Sequence, residues 1–257
     1  MPKENNAIAT TIIPQDAWQA LQQFTNARIA LGRTGHAVPI QQVLDFKMAH
    51  AFARDAVYSE LDKPNISERL EKLCLKYYWL HSKAEDRTMY LQRPDFGRRL
   101  QTKSIQQIAV VATNPVDISI VIVDGLSATA INQHATPFLQ IILPQLQAKQ
   151  LTIAPIIVVQ QGRVAIGDEV GMLQNAKLSI VLIGERPGLS SPDSMGAYIT
   201  YQPTIGNTDE RRNCISNIRP EGLPLENAAN TLLYLVSEAL RLQLSGVALK
   251  DENKLLQ

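Results

Sequence analysis

The feature that most constrains the fold is a run dominated by β-branched apolar residues, Ile118-Ser119-Ile120-Val121-Ile122-Val123, which stops at Asp124-Gly125. A continuous run of this kind is typical of a strand buried on both faces, as in a parallel sheet. Gly125 tolerates turn conformations, and Ser127 stands at an N-cap position before helix-forming residues. The run therefore predicts a strand, a tight turn and a helix, with backbone N–H groups at the sheet edge where wound α/β folds bind ligands.

Two further apolar runs, at 153–159 and 178–183, predict strands that alternate with helical patterns. This alternation indicates an α/β fold with a wound, mostly parallel sheet of the Rossmann or flavodoxin-like kind. The carboxyl ends of the three strands would meet at one edge of the sheet. They carry Asp124-Gly125-Leu126-Ser127, Gln161-Gly162-Arg163-Val164 and Gly184-Glu185-Arg186-Pro187-Gly188.

The N-terminal part of the chain reads as mainly helical. We expect a helical region over 1–100 and an α/β cofactor-binding domain over 101–257. Stripes of apolar residues at helical spacing predict its helices: Trp18, Leu21 and Phe24 after Pro14; Ile40, Val43, Leu44, Met48, Ala51 and Phe52; and Leu70, Leu73 and Tyr77. Further along, Thr136-Pro137 predicts the start of a separate helical stretch, interrupted at Pro144.

Composition excludes several classes of function. The chain has 25 basic and 24 acidic residues and only 5% aromatic residues, so neither charge nor base stacking favours a nucleic-acid partner. No apolar stretch approaches the ~18 residues of a membrane span, and the start of the chain lacks the pattern of a secretory signal. The 2 cysteines show no CxxC spacing, which fits a reducing compartment. We expect a cytoplasmic protein with no membrane partner.

Chemistry-bearing motifs are few. The sequence has no nucleophile elbow, no HExxH, no P-loop and no GxGxxG after a strand, and its His, Cys and Asp residues do not stand at metal-ligand spacing. We therefore expect no catalytic residue and no metal ligand in this chain. The strand-end loops suit the holding of a polar ligand more than its transformation.

Two other segments carry open alternatives. The cluster Arg93-Pro94-Asp95-Phe96-Gly97-Arg98-Arg99 offers three arginines to a phosphate, to a partner's carboxylates or simply to Asp95. The connection over 190–213 is long and polar, with a short strand near 197–201, and is either a functional loop or a partner surface.

Taken together, six strings resemble the small (light) subunit family of ethanolamine ammonia-lyase, from about Leu31 to Gly246. They are Gly32-Arg33-Thr34-Gly35, Arg93-Pro94-Asp95-Phe96-Gly97-Arg98-Arg99-Leu100, Asp124-Gly125-Leu126-Ser127, Gly162-Arg163-Val164, Gly184-Glu185-Arg186-Pro187-Gly188-Leu189 and Cys214-Ile215-Ser216-Asn217-Ile218. The resemblance implies a non-catalytic, cofactor-holding subunit. Adenosylcobalamin would sit between this chain and a large barrel subunit, where a 5′-deoxyadenosyl radical starts the conversion of ethanolamine to acetaldehyde and ammonia.

Carried over from the family, the corrinoid contacts fall on Val164, Glu185 and Cys214. A carboxylate such as Glu185 accepts the N–H groups of the amides that rim a corrin ring, and Val164 packs on an apolar edge or offers backbone groups. Without the resemblance, an ion pair with Arg186 would be the favoured interpretation of Glu185, and a small buried apolar residue that of Cys214; the resemblance reverses both. The sequence has no Asp-x-His-x-x-Gly loop, so a cobalamin here would keep its own base on cobalt.

The sequence leaves one alternative to a cobalamin-holding subunit. It is a stand-alone nucleotide- or phosphate-binding protein that uses Ser127 and the helix N-terminus after Gly125. The resemblance also raises a location inside a bacterial microcompartment, although the N-terminal segment is short beside family members that carry a long Ala/Pro/Ser-rich extension.

Overall fold

A computed structural model describes residues 16–110 and 114–250. In these ranges one sheet contains six strands: β1 (Tyr77–His81), β2 (Val116–Val123), β3 (Ile156–Gln160), β4 (Ala176–Gly184), β5 (Met195–Tyr201) and β6 (Arg212–Ile218). Their order across the sheet is β1-β3-β2-β4-β5-β6. The pairings among β1 to β4 are parallel, and those of β4 with β5 and β5 with β6 are antiparallel. The predicted α/β fold with a mostly parallel sheet is confirmed.

Helices cover both faces of the parallel strands. They are α1 (Ile40–Tyr58), α2 (Lys63–Lys72), α3 (Arg87–Gln92), α4 (Thr102–Ala109), α5 (Ala128–Ala148), α6 (Ile166–Leu173) and α7 (Leu225–Leu242). Alternate strand residues divide the core: Ile120 and Ile122 belong to a cluster with α5 and α7, and Val121 and Val123 to a cluster with α4 and α6. The runs without polar alternation follow from this burial on two faces.

Strand β1 corrects one prediction. The Leu70, Leu73, Tyr77 spacing suggests a single helical stripe, but α2 ends at Lys72 and Cys74 takes a left-handed φ of 54°, which stops the helix. Tyr77 then begins an edge strand that pairs in parallel with β3. The predicted division into two regions at residue 100 stays a prediction. The region before residue 100 contributes β1 to the sheet.

Two helix predictions also change. Leu21 and Phe24 of the stripe after Pro14 lie in a short 3-10 helix, Gln19–Phe24, and Trp18 is its N-cap residue. Pro14 lies outside the described residues. Helix α5 is continuous through Pro137 and Pro144, where two helical stretches were expected. Eleven of its 21 residues are buried, and this packing outweighs the loss of two backbone hydrogen bonds.

The order of the strands creates a crevice. From β2 the chain passes to β3 on one side, and then crosses to β4 on the other side. In doubly wound sheets, ligands bind at the carboxyl ends of the strands on either side of such a reversal. The loops after β2, β3 and β4 therefore surround the expected position of a site.

Candidate functional site

Asp124 ties the loop after β2 to the loop after β3. Its carboxylate accepts hydrogen bonds from the backbone N–H groups of Gly125 (2.9 Å), Gln161 (2.7 Å) and Gly162 (3.0 Å). The side chain is buried, and burial raises its pKa to about 6 although these hydrogen bonds act in the opposite direction. Asp124 thus holds the two loops together and is turned away from solvent.

Two glycines bring the loops after β2 and β4 into contact. The N–H of Leu126 donates to the carbonyl oxygen of Gly184 at 2.9 Å. Gly125 has a φ of 58°, and a Cβ there would collide with that same carbonyl. A Cβ at Gly184 would collide with the carbonyl of Ser127. The close approach of these loops therefore requires glycine at both positions.

Glu185 is fixed by three donors from β5 and β6 and their flanks. Its carboxylate accepts hydrogen bonds from the Ser194 hydroxyl, the Ser216 hydroxyl at 2.7 Å and the Asn217 N–H at 3.1 Å. Within the described residues it forms no ion pair with Arg186, so the alternative of a pair inside the loop is wrong. The carboxylate is held in one position at the carboxyl edge of the sheet.

Val164 and Glu185 line the same cavity. This strand-end cavity has a volume of about 380 Å³, and the loops after β2, β3 and β4 form most of its wall. Its lining residues are Tyr90, Gly125, Leu126, Arg163, Val164, Ile183, Gly184, Glu185, Arg186 and Tyr198. The convergence of the three loops, predicted from the ends of the strands, is confirmed here.

Cys214 lies beside this cavity on β6. It pairs with Tyr198 of β5, which lines the cavity, while Cys214 is not itself a lining residue. On β6, Ile215 points into the core with α7, whereas Cys214 and Ser216 are exposed. The alternative of a buried apolar cysteine is therefore wrong, and one face of the β5–β6 pair is open next to the cavity.

The pKa values of Cys214 and Tyr198 are both raised, so both side chains are neutral at pH 7. Partial desolvation raises the pKa of the Cys214 thiol and outweighs the hydrogen bond from Tyr198. Desolvation also raises the pKa of the Tyr198 hydroxyl. A protonated thiol is a weak hydrogen-bond donor and a poor metal ligand, so Cys214 offers a packing surface.

The arginine loop over 93–99 packs beneath the same rim. The N–H of Arg163 donates to the Gly97 carbonyl at 2.8 Å, and a Cβ at Gly97 would lie 3.0 Å from Arg163 Cγ. Arg93 pairs with Asp95 at 2.7 Å.

The other two arginines of the loop differ from Arg93. Arg99 pairs with the buried Glu169 of α6 at 3.0 Å. Arg98 has no ion pair among the described residues. Asp95 therefore forms an ion pair with only one of the three arginines, Arg93.

Five of the six strings thus form one connected rim. The exception is Gly32-Arg33-Thr34-Gly35, which is half-buried to exposed and whose backbone hydrogen bonds in the described structure join Thr34 with Ala37. The long connection over 190–213 contains β5 and a 3-10 helix, Asp209–Arg211, and Ser194 within it reaches Glu185.

Sequence reasoning missed Tyr90 and Tyr198, which line the cavity, and Ser194, which donates to Glu185. Strand alternation was a usable signal for Tyr198, because its neighbours Ala197 and Ile199 belong to the core cluster on the opposite face of β5. Tyr90 is a buried residue of α3, and only the tertiary contact with Arg163 brings it to the rim.

The described residues contain no group of three or more His, Cys, Asp and Glu side chains that could hold a metal ion. None of the helices in 16–110 and 114–250 is both long and apolar enough to cross a membrane. The cavity offers fixed polar groups and lies next to an open sheet face.

Comparison with known proteins identifies the family. Residues 15–250 match the model of the ethanolamine ammonia-lyase light chain (EutC). Three similar proteins are called ethanolamine ammonia-lyase small subunit. The one from Pseudomonas putida (strain W619) is 54% identical over 242 residues, covering 93% of this chain and 89% of that protein.

The other two come from related species. The protein from Pseudomonas fluorescens (strain Pf0-1) is 53% identical over 242 residues, covering 93% and 88% of the two chains. The protein from Pseudomonas syringae pv. tomato (strain ATCC BAA-871 / DC3000) is 50% identical over 253 residues, covering 97% and 88%. The chain therefore belongs to the ethanolamine ammonia-lyase light chain family.

Proposed function

We propose that this chain helps to hold base-on adenosylcobalamin at an interface with the large subunit of an ethanolamine ammonia-lyase. The observation that carries the proposal is the position of Glu185, whose carboxylate lies in the wall of the strand-end cavity and is fixed by three hydrogen-bond donors. A carboxylate oxygen has room for more than one hydrogen bond. Glu185 is therefore able to accept an N–H from an amide of a corrin ring without losing its support.

The residues around Glu185 fit the same group. The ring of a corrinoid is broad, and the open face of β5–β6 with Tyr198 and Cys214 offers a surface for its apolar edge. Val164 adds a partly buried apolar contact from the loop after β3. The cavity alone, at about 380 Å³, holds part of such a molecule. This supports a partner subunit as the remaining wall.

In this mechanism the bound cofactor supplies the radical chemistry that opens the reaction. The residues of this chain do the positioning. Glu185, Val164 and Cys214 would hold the ring, and the packed loops would exclude water on this side. A rigid cradle is effective because Asp124, Gly125 and Gly184 lock the loops before any ligand arrives.

Helix α1 supports the interface with a large subunit. One stripe of its apolar side chains is exposed: Ile40 by 72%, Leu44 by 52%, Met48 by 56% and Phe52 by 57%. A stripe of this kind on a helix marks an interaction surface more often than bare solvent-facing structure. We infer that the large subunit covers it, which makes this chain a cofactor-holding, non-catalytic partner in a hetero-oligomer.

The alternative function, a stand-alone nucleotide- or phosphate-binding protein, requires an accessible N-terminus of α5. Ser127 there is buried, and its hydroxyl donates to the Pro192 carbonyl and accepts from the Ala130 N–H at 3.3 Å. The connection after β4 thus covers the helix end that a phosphate would occupy. This observation favours the corrinoid over the alternative.

The test uses the chain co-expressed and purified with its large subunit. We expect acetaldehyde from ethanolamine only when adenosylcobalamin is added. Glu185→Gln should weaken adenosylcobalamin binding by about tenfold, because a neutral amide with one acceptor oxygen replaces a charged carboxylate with two. The exposed Glu85, which makes no side-chain hydrogen bond in the described structure, provides the matched control Glu85→Gln.

Two results would contradict the proposal. One is a complex without adenosylcobalamin-dependent product. The other is tight ATP or NAD binding by the chain alone, which the stand-alone alternative predicts. Equal affinity of Glu185→Gln and Glu85→Gln for adenosylcobalamin would remove Glu185 from the site.

A further inference from the structure

Two arginines stack on one buried tyrosine at the rim of the strand-end cavity. The Cζ atom of Arg163 lies 4.4 Å and that of Arg87 lies 4.6 Å from the ring centroid of Tyr90, which is 1% exposed. Two guanidinium groups on one ring repel each other, so the arrangement gains from a compensating anion.

The protein supplies little of that compensation. Arg163, whose side chain is partly exposed and lines the cavity, donates from Nη2 to the Tyr90 carbonyl at 3.0 Å, a neutral acceptor. Its Nε is buried and has no partner among the described residues. Arg87 donates to the carbonyls of Val57 at 2.6 Å and Gly125 at 2.8 Å and to Gln161 Oε1 at 3.3 Å, all neutral acceptors. Its buried Nη2 has no partner in the described part of the chain. Neither arginine forms an ion pair within the described residues.

The remaining charges of the cavity do not restore the balance. The negative charge of Asp124 stabilises the charged form of Arg87, but Asp124 is buried and its carboxylate already accepts three backbone hydrogen bonds. Glu185 accepts from two serines and a backbone N–H. Arg186, which also lines the cavity, is exposed and has no ion pair in the described part of the chain.

We propose that Arg163, held in place by Tyr90 and aided by Arg186, binds a phosphate oxyanion in the strand-end cavity. Guanidinium groups with free N–H donors match the oxygens of a phosphate. The anion has two sources: the phosphodiester in the nucleotide tail of a base-on cobalamin, or free inorganic phosphate. The first rests on the proposed function, and the second does not.

The experiment separates the two sources in the complex with the large subunit. Affinity is measured for adenosylcobalamin, for adenosylcobinamide, which lacks the nucleotide tail and its phosphodiester, and for inorganic phosphate by calorimetry. Arg163→Gln removes the charge at the cavity. Arg186→Gln removes an exposed charge that the fold does not need, and Arg241→Gln on α7 is the control for loss of a surface arginine.

If the cofactor's phosphodiester is the ligand, Arg163→Gln weakens adenosylcobalamin binding by about tenfold or more and leaves adenosylcobinamide within about twofold. Arg186→Gln weakens adenosylcobalamin binding by a smaller factor and also leaves adenosylcobinamide binding unchanged. This variant tests the proposal even if Arg163→Gln fails to fold. If free phosphate is the ligand, both corrinoids bind unchanged and the calorimetric signal of phosphate disappears in Arg163→Gln.

Equal weakening of both corrinoids, or no change with any ligand, would overturn the assignment. A wild-type complex that binds neither corrinoid contradicts the proposed function instead, and the phosphate titration then decides about Arg163 independently.

Discussion

Helices α1 and α5 are similar in length, and apolar residues at helical spacing occur in both, but the two helices differ sharply in how much of their surface is buried. Helix α5 buries eleven of its 21 residues, whereas α1 buries one of 19, Ala56. The first packs on the sheet and against α7, and the second lies at the outside of the molecule. The comparison teaches that apolar residues at helical spacing predict a helix but do not predict whether its apolar side chains are buried within the chain.

The first prediction compares one phenylalanine in each helix. Phe138 of α5 is fully buried, so Phe138→Ala should lower the free energy of unfolding by about 3 to 5 kcal/mol through lost burial and a cavity. Phe52 of α1 is 57% exposed, and Phe52→Ala should change it by less than about 0.5 kcal/mol. Urea unfolding of the purified chain measures both. A cost above about 2 kcal/mol for Phe52→Ala would show that α1 packs within its own chain.

The second prediction concerns the pH dependence of stability that arises from Asp124, the residue directly after β2. The pKa of Asp124 is raised from an ordinary value of 3.8 to about 6, so folding disfavours its charged form. Its contribution to stability is therefore fully present below about pH 4 and decreases as the pH rises through 6. We expect wild type to gain about 2 kcal/mol relative to Asp124→Asn between pH 7 and pH 4.

Paired urea titrations at the two pH values measure this difference. The subtraction removes carboxylates that act in the opposite sense, such as Asp95 and Asp117, whose pKa values are lowered by Arg93 and Lys177. A constant difference between wild type and variant would mean that Asp124 is ionised at no cost in the folded state.

The third prediction has the smallest effect on stability and sharpens the comparison at α1. Leu44→Ser should leave the unfolding of the isolated chain within about 0.5 kcal/mol of wild type, because Leu44 is 52% exposed. The same change should weaken association with the large subunit by about tenfold, as expected for an apolar contact removed from an interface. Co-purification and light scattering measure the association. Unchanged assembly would place the interface elsewhere.

The strand-end loops were predictable because local signals agree. The apolar runs located β2, β3 and β4, Gly125 marked the turn, and Ser127 caps α5 as expected from its type. The loops themselves placed Val164 and Glu185 at one edge of the sheet. The contact of these two residues with a corrinoid stays a prediction, as does that of Cys214.

Other features were not predictable from local patterns. Glu185 is held by Ser216, which lies 31 positions away along the chain, so neighbouring residues suggested Arg186 instead. Cys214 is exposed because β6 has a helix on one face only, a fact that the Cys-Ile-Ser-Asn string does not contain. Tyr90 joins the site through Arg163, from another element.

The sequence by itself determined where β2, β3 and β4 end, that Gly125 turns the chain and which family the loops resemble, because these depend on backbone conformation and on short spacings. Tertiary structure decided which donors hold Glu185, which arginines lack a counter-charge and which helix stays exposed. These properties depend on residues far apart in sequence. The strength of their hydrogen bonds and charge interactions is set by whether the folded chain excludes water from the groups involved.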